Sequence, residues 1–206
     1  MFGRSGGAGR AFARTMTGGG TEMVARPTPK RFTVGEYEEL GKLGFFHEDD
    51  RVELLDGEII EMTAIGGDHA VLTRQLNRIV VGQVGAGYIV DVQNPLRLND
   101  DSMPQPDLAV IRDKDYGGTV PTAADALLVI GVADSSIEYD RNRKLPRYAA
   151  ASIPESWIID VTARTIARYS DPTNERYQQI VPAHRGQTLA SAIIPAISIA
   201  VDSVFR

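Results

Sequence analysis

The stretch "LLVIGVADSSIEYDRNRKLPRYAAASIPESWIID", residues 127–160, decides the fold of this chain. With Ala126 it opens on a nearly continuous apolar run, "ALLVIGVA", which suits a strand covered on both faces. The pattern then predicts a helix within residues 140–151, and "SWIIDV" returns the chain to an extended form. Pro146 is tolerated in the first turn of a helix, which sets the expected helix start near Lys144.

Working outward, "YIVDVQNPLRL" from Tyr88 and "PDLAVI" from Pro106 read as two preceding strands. "TIARYS" and "ERYQQIV" follow as β-rich pieces, and the C-terminus is weakly patterned. Upstream, "DHAVLTRQLNRIVVGQV" puts Leu72, Leu76, Ile79, Val80 and Val84 on one helical face, with Asp68 as the expected N-cap. "RVELLDGEIIEM", residues 51–62, centres on Asp56-Gly57, a strong hairpin signal. "TVGEYEELGKLG" from Thr33 carries a capping threonine, an acid three residues later and a closing glycine, so it reads as a first helix. The sum is an α/β (α+β) fold: a mixed β-sheet flanked by helices, with an N-terminal β-hairpin.

Composition bounds the function. The 206 residues suit one domain with a sizeable core, and 43% apolar with 24% charged residues is ordinary for a soluble protein. No stretch approaches the roughly 20 apolar residues of a bilayer-spanning helix, so no membrane partner is expected. The absence of cysteine excludes disulfides and thiolate zinc sites, and a cytoplasmic location follows by default. Six of the 22 basic residues but only one of the 27 acidic residues fall in residues 1–31, so a net charge of −5 becomes −10 for the remainder. Those 31 residues are rich in Gly and Arg and read as a disordered tail, leaving residues 32–206 as a single domain. The acidic body argues against a protein that coats DNA, but a bound cation can reverse the sign locally.

One constellation carries chemistry. Asp107 stands at the start of one strand, the middle of "LLVIGVA" lies on the next, and Lys144 follows the "YDR" turn. An acid and an amine brought to one end of neighbouring strands suit a divalent ion and a placed water at a phosphodiester. Each residue also has a plainer reading. Asp107 beside proline serves as a turn acid, Lys144 as a solvated helix charge, and His69 as a hydrogen bonder at a helix start. Glu53 and Glu58 fit solvent-facing positions of a half-exposed hairpin. Asp134, Ser135 and Ser136 either cap the next segment or touch substrate. Trp157 and Tyr148 read as core.

Residues 32–170 resemble the Uma-two restriction-endonuclease family, a bacterial branch of the PD-(D/E)XK nuclease superfamily. The segments that carry this are "RVELLDGEIIEM", "GGDHAVLTRQL", "QPDLAVI", the 127–160 stretch and "RTIARYS", in the family's order. The resemblance implies cleavage of DNA with Mg²⁺ or Mn²⁺. It implies Asp107 as first metal ligand, a glutamate one strand later as second, and the backbone carbonyl of Gly131 or Val132 as third. The lysine usual two residues beyond that glutamate is Ala133 here, and Lys144 is the implied replacement, assisted by His69 or Glu58. The glutamate itself is replaced by Gly131. Glycine inside a strand costs roughly 0.5–1 kcal/mol relative to alanine, so packing does not recommend it there. The expectation is a weakened or inactive nuclease; the alternatives are a nuclease-fold module that binds DNA or protein without cutting, and a structural domain, with a homodimer in view.

Overall fold

In the computed structural model the described residues are 28–47 and 49–205, so the expected tail lies, as far as residue 27, outside them. The chain enters through α1 (Val34–Lys42), closed by a capping box in which Thr33 and Glu36 satisfy each other's backbone N–H groups. Strands β1 (Val52–Leu55) and β2 (Glu58–Glu61) pair antiparallel around Asp56-Gly57, as the sequence predicts. Both turn residues take positive φ, 54° and 72°, the conformation that favours Asp-Gly in a two-residue hairpin. The turn is tied down on two sides: the Gly57 N–H donates to the Asp101 carbonyl (2.8 Å), and the Arg147 guanidinium donates to the Asp56 carboxylate (2.8 Å).

Helix α2 (Gly67–Gln83) begins two residues earlier than the capping pattern implies. Its N-cap is Gly66, in extended conformation, and Asp68 lies within the first turn, where its charge favours the helix N-terminus. The predicted apolar face holds, with Leu72, Leu76 and Val80 buried and Ile79 and Val84 packed beside them.

Six strands then build one mixed sheet in sequential order: β3 (Tyr88–Val92), β4 (Leu108–Arg112), β5 (Ala126–Ala133), β6 (Glu155–Asp160), β7 (Thr165–Thr173) and β8 (Arg176–Ala183). Only β5 and β6 run parallel. Parallel neighbours need a crossover, and the chain makes it through α3 (Ile137–Tyr139), a π-helical segment (Asp140–Lys144) and α4 (Leu145–Ala150). The α-helix α4 starts at Leu145 with Lys144 as its N-cap and Pro146 in its first turn, as the sequence predicts, while helical backbone leading into it already begins at Ile137. Pro146 is accommodated in the first turn of α4, and just ahead of it the wider π turn bonds the Leu145 N–H back to the Asp140 carbonyl.

Alternate residues of β5 face opposite sides, and both sides are covered. Leu128, Ile130 and Val132 pack with α2, while Val129 and Ala133 pack with Leu145, Tyr148 and Ala149 of α4. Fully burying one such aliphatic side chain contributes about 1.5–3 kcal/mol. The C-terminus has more order than its pattern suggests. Strands β9 (Thr188–Ala190) and β10 (Ser198–Ala200) pair antiparallel and lead into α5 (Val201–Val204), which adds Val201 and Val204 to the α2 side of the core. Trp157 is fully buried, as expected, with its indole N–H donating to Glu155 (2.6 Å). No helix among the described residues is long and apolar enough to cross a membrane.

The hairpin turn supplies a direct check. A Cβ on Gly57 would sit 2.8 Å from the Arg31 Cβ and 3.0 Å from the Phe32 carbonyl oxygen, at a positive φ. Gly57→Ala is expected to destabilise the fold by about 1–3 kcal/mol in thermal or urea unfolding.

Candidate active site

Asp107 immediately precedes β4, and the β4–β5 ladder ends one step away at Leu108–Ile130. Beyond that point β5 continues without a β4 partner, and the aspartate side chain takes the partner's place. Its Oδ2 accepts the Val132 N–H (2.7 Å), and its Oδ1 accepts from His69 Nε2 (2.6 Å) and the Gln93 amide (3.3 Å). Burial pushes the Asp107 carboxyl up, but the His69 bond and charge, the Val132 N–H and Gln93 together carry it below the usual aspartate range. An ionised carboxylate only accepts, so His69 holds its proton on Nε2.

The same geometry separates the two backbone carbonyls. In a strand the N–H and C=O of one residue leave on one side, and successive residues alternate. The Ala133 carbonyl accepts the Val161 N–H (2.9 Å) on the β6 side, so the Val132 carbonyl leaves with its own N–H toward Asp107. Gly131 has its backbone groups turned to β6. What it presents at the site is a missing side chain: nothing lies within 4 Å of where its Cβ would be.

Two spaces meet here. A cavity of about 290 Å³ is lined by His69, Asp107, Val132, Ser136, Asp140 and Lys144, with the end of β2 and residues 62–66 across from them. A recess of about 20 Å³ at Gly131 is bounded by Asp107, Asp140, Lys144, Tyr148 and Trp157. Asp107 and Lys144 border both.

Lys144 is buried, and its ammonium is 2.9 Å from Glu53, which is fully enclosed. Glu53 also accepts the Gln105 N–H (2.9 Å) and the Tyr139 hydroxyl (3.0 Å). Burial, followed by the Glu53 charge and bond, pushes the Tyr139 hydroxyl far up, so it stays a donor. Asp140 accepts from the Ser136 hydroxyl (2.7 Å). Burial raises its carboxyl above the ordinary aspartate value despite Lys144 and Ser136, with Asp107 and Glu53 adding to the rise.

The structure thus brings together Asp107, His69, Val132, Gly131 and Lys144. It does not bring Glu58, whose carboxylate is bonded to Arg143 (2.9 Å) and Arg31 (2.8 Å) on the outer side of the hairpin and lines neither space. The Arg143 bond, the Arg31 charge and their companions hold its pKa down. Glu53 corrects the alternation argument: three consecutive residues of β1, Glu53 to Leu55, are buried, so the acid points inward. Nothing local in the sequence distinguishes Asp140 from an ordinary turn acid, and Ser136 does not cap the backbone with its side chain but donates to Asp140.

A family model described as "Putative restriction endonuclease", Uma2, matches residues 34–202. The chain belongs to the Uma2 family. A search of curated proteins finds no match. Among solved structures, a crystal structure titled as a putative nuclease of DUF820 from Anabaena variabilis aligns over 84% of this chain and 97% of that one, at a TM-score of 0.68 and 14% identity. That likeness is one of fold. It agrees with the mixed sheet and flanking helices expected from the sequence, and the hairpin and the α2 helix fall inside the matched range of the family model.

Two outcomes follow. Glu53→Ala leaves the Lys144 ammonium buried without its partner and is expected to cost about 3–5 kcal/mol in urea unfolding. Asp107, with its lowered pKa, adds stability that is complete above the unfolded value near 3.8 and is lost as pH falls through the folded value. The difference in melting temperature between the wild type and Asp107→Asn is therefore expected to narrow on acidification below pH 3.8.

Proposed function

We propose that this Uma2 protein hydrolyses DNA phosphodiester bonds with Mg²⁺ or Mn²⁺, at a level reduced by Gly131. The observation that carries the reading is the convergence of Asp107 and Lys144 on one cavity at the splayed end of β4 and β5.

The donor set suits a hard cation held by few protein ligands. Mg²⁺ is commonly bound through one or two carboxylates plus waters and substrate phosphates. Among the described residues no three His, Asp or Glu side chains form a cage, which is unlike a closed zinc site. Asp107 and the Val132 carbonyl would hold the ion, and the open space at Gly131 is where a second carboxylate would enter. When bound, the ion supplies positive charge against the scissile phosphate.

The chain's own groups do the rest. Lys144, fixed by Glu53, presents protons to the cavity and orients a water for in-line attack. His69 fixes the rotamer of Asp107 by donating to Oδ1. Glu58, bonded to two guanidinium groups, takes no part in the chemistry and instead holds Arg31 and Arg143 beside the hairpin.

Gly131 favours one further reading, a module that holds DNA without cutting it, recognised by salt-dependent DNA affinity in the absence of metal. Plasmid cleavage in Mn²⁺ by the wild type beside Gly131→Glu separates the two. Slow nicking by the wild type and a gain of at least about tenfold in the variant are expected, the size of effect that metal-site substitutions produce. If neither cuts and calorimetry shows no gain of metal affinity in the variant, the nuclease reading fails.

A further inference from the structure

Gly131 leaves the strand without its carboxylate, yet the cavity does not lack negative charge. We infer that Asp140 supplies the second carboxylate, reaching the Asp107 site from the helical side and not from β5. The inference rests on the nuclease reading above.

Placement is the first support. Asp140 borders both the main cavity and the recess at Gly131, the same two spaces that Asp107 and Lys144 border. No heavy atom lies within 4 Å of the Cβ position at Gly131, so no side chain stands where the usual glutamate would start.

Backbone form is the second. Asp140 opens the π-helical segment and Lys144 closes it. Single π turns interrupt helices chiefly at functional sites, because the widened turn changes which residues share a face. Here it leaves an acid and an amine four residues apart facing one cavity.

Charge pairing is the third. Glu53 is paired with the Lys144 ammonium at 2.9 Å, and Asp107 accepts from His69 Nε2 at 2.6 Å. Among the described residues no cation comes within ion-pair distance of Asp140, whose side chain is bonded to the neutral Ser136 hydroxyl. A half-buried carboxylate in such a place calls for a positive partner. A divalent ion shared with Asp107 provides one, and it completes the two-carboxylate set that Mg²⁺ accepts.

Calorimetry of the metal-free full chain with Mn²⁺ alone tests this, without DNA and without reference to activity. Asp140→Asn is expected to weaken Mn²⁺ binding by about tenfold or more in the wild-type background, in line with metal-site substitutions. In a Gly131→Glu background the same change is expected to cost much less, because the strand then carries its own carboxylate and the two sites couple. Equal losses in both backgrounds, or none in the wild type while Asp107→Asn abolishes binding, would overturn the proposal and leave the nuclease reading standing. Absence of Mn²⁺ binding in every variant overturns both. Carboxyl ¹³C spectra of the wild-type protein give a measurement free of folding effects. Mg²⁺ is expected to shift the Asp107 and Asp140 resonances together, and a shift of Asp107 alone refutes the assignment.

Discussion

Only one pair of neighbours in the sheet runs parallel, β5 with β6, and the rest of the molecule is arranged around that fact. A parallel pair cannot be joined by a tight turn, so the chain must travel back along the sheet before β6 can begin. That return path covers the face presented by Val129, Gly131 and Ala133, and it brings Asp140 and Lys144 over the strand ends. Because β4 stops short of the end of β5, the space beneath the returning helix is left to the Asp107 side chain. An acid, a recess and an amine are thereby placed together by topology.

The second requirement is electrostatic. A lysine this buried is tolerated only with a partner, and the partner comes from a different element, the first strand of the hairpin. The hairpin is thus not an appendage. Its turn is fastened to α4 through Asp56 and Arg147, and its inner acid fixes the amine that faces the cavity. Buried pairs of this kind do little for net stability when compared with an apolar equivalent, so the retention of Glu53–Lys144 is better explained by the site than by the fold.

How much could be read from the letters follows the same division. The hairpin, the apolar face of α2 and the doubly covered β5 were legible because each depends on local pattern and turn chemistry. Asp107 was legible as a candidate for the same reason, at the mouth of a strand. The burial of Glu53 is not legible in the same way, because it is set by residues 86 and 91 positions away, Tyr139 and Lys144, which no local period records. Pro146 marks the start of α4 at Leu145, but nothing in the local pattern marks the π-helical segment that precedes it. The order in the C-terminal segment depends on Leu189, Ile197 and Ile199 closing onto α2, contacts that alternate too briefly to be seen in sequence.

The same topology explains why position 131 holds a glycine without loss of fold. Its position on β5 keeps its ladder partner on β6, Ile158, and the recess it leaves is small, about 20 Å³. The site and the scaffold are therefore separable at that residue. Anomalous diffraction from crystals soaked in Mn²⁺ tests the central claim most directly. The expected result is a single manganese peak within bonding distance of the Asp107 carboxylate and the Val132 carbonyl, with Lys144 facing it. A map with no peak at Asp107, in crystals where His69 still holds that carboxylate, would contradict it.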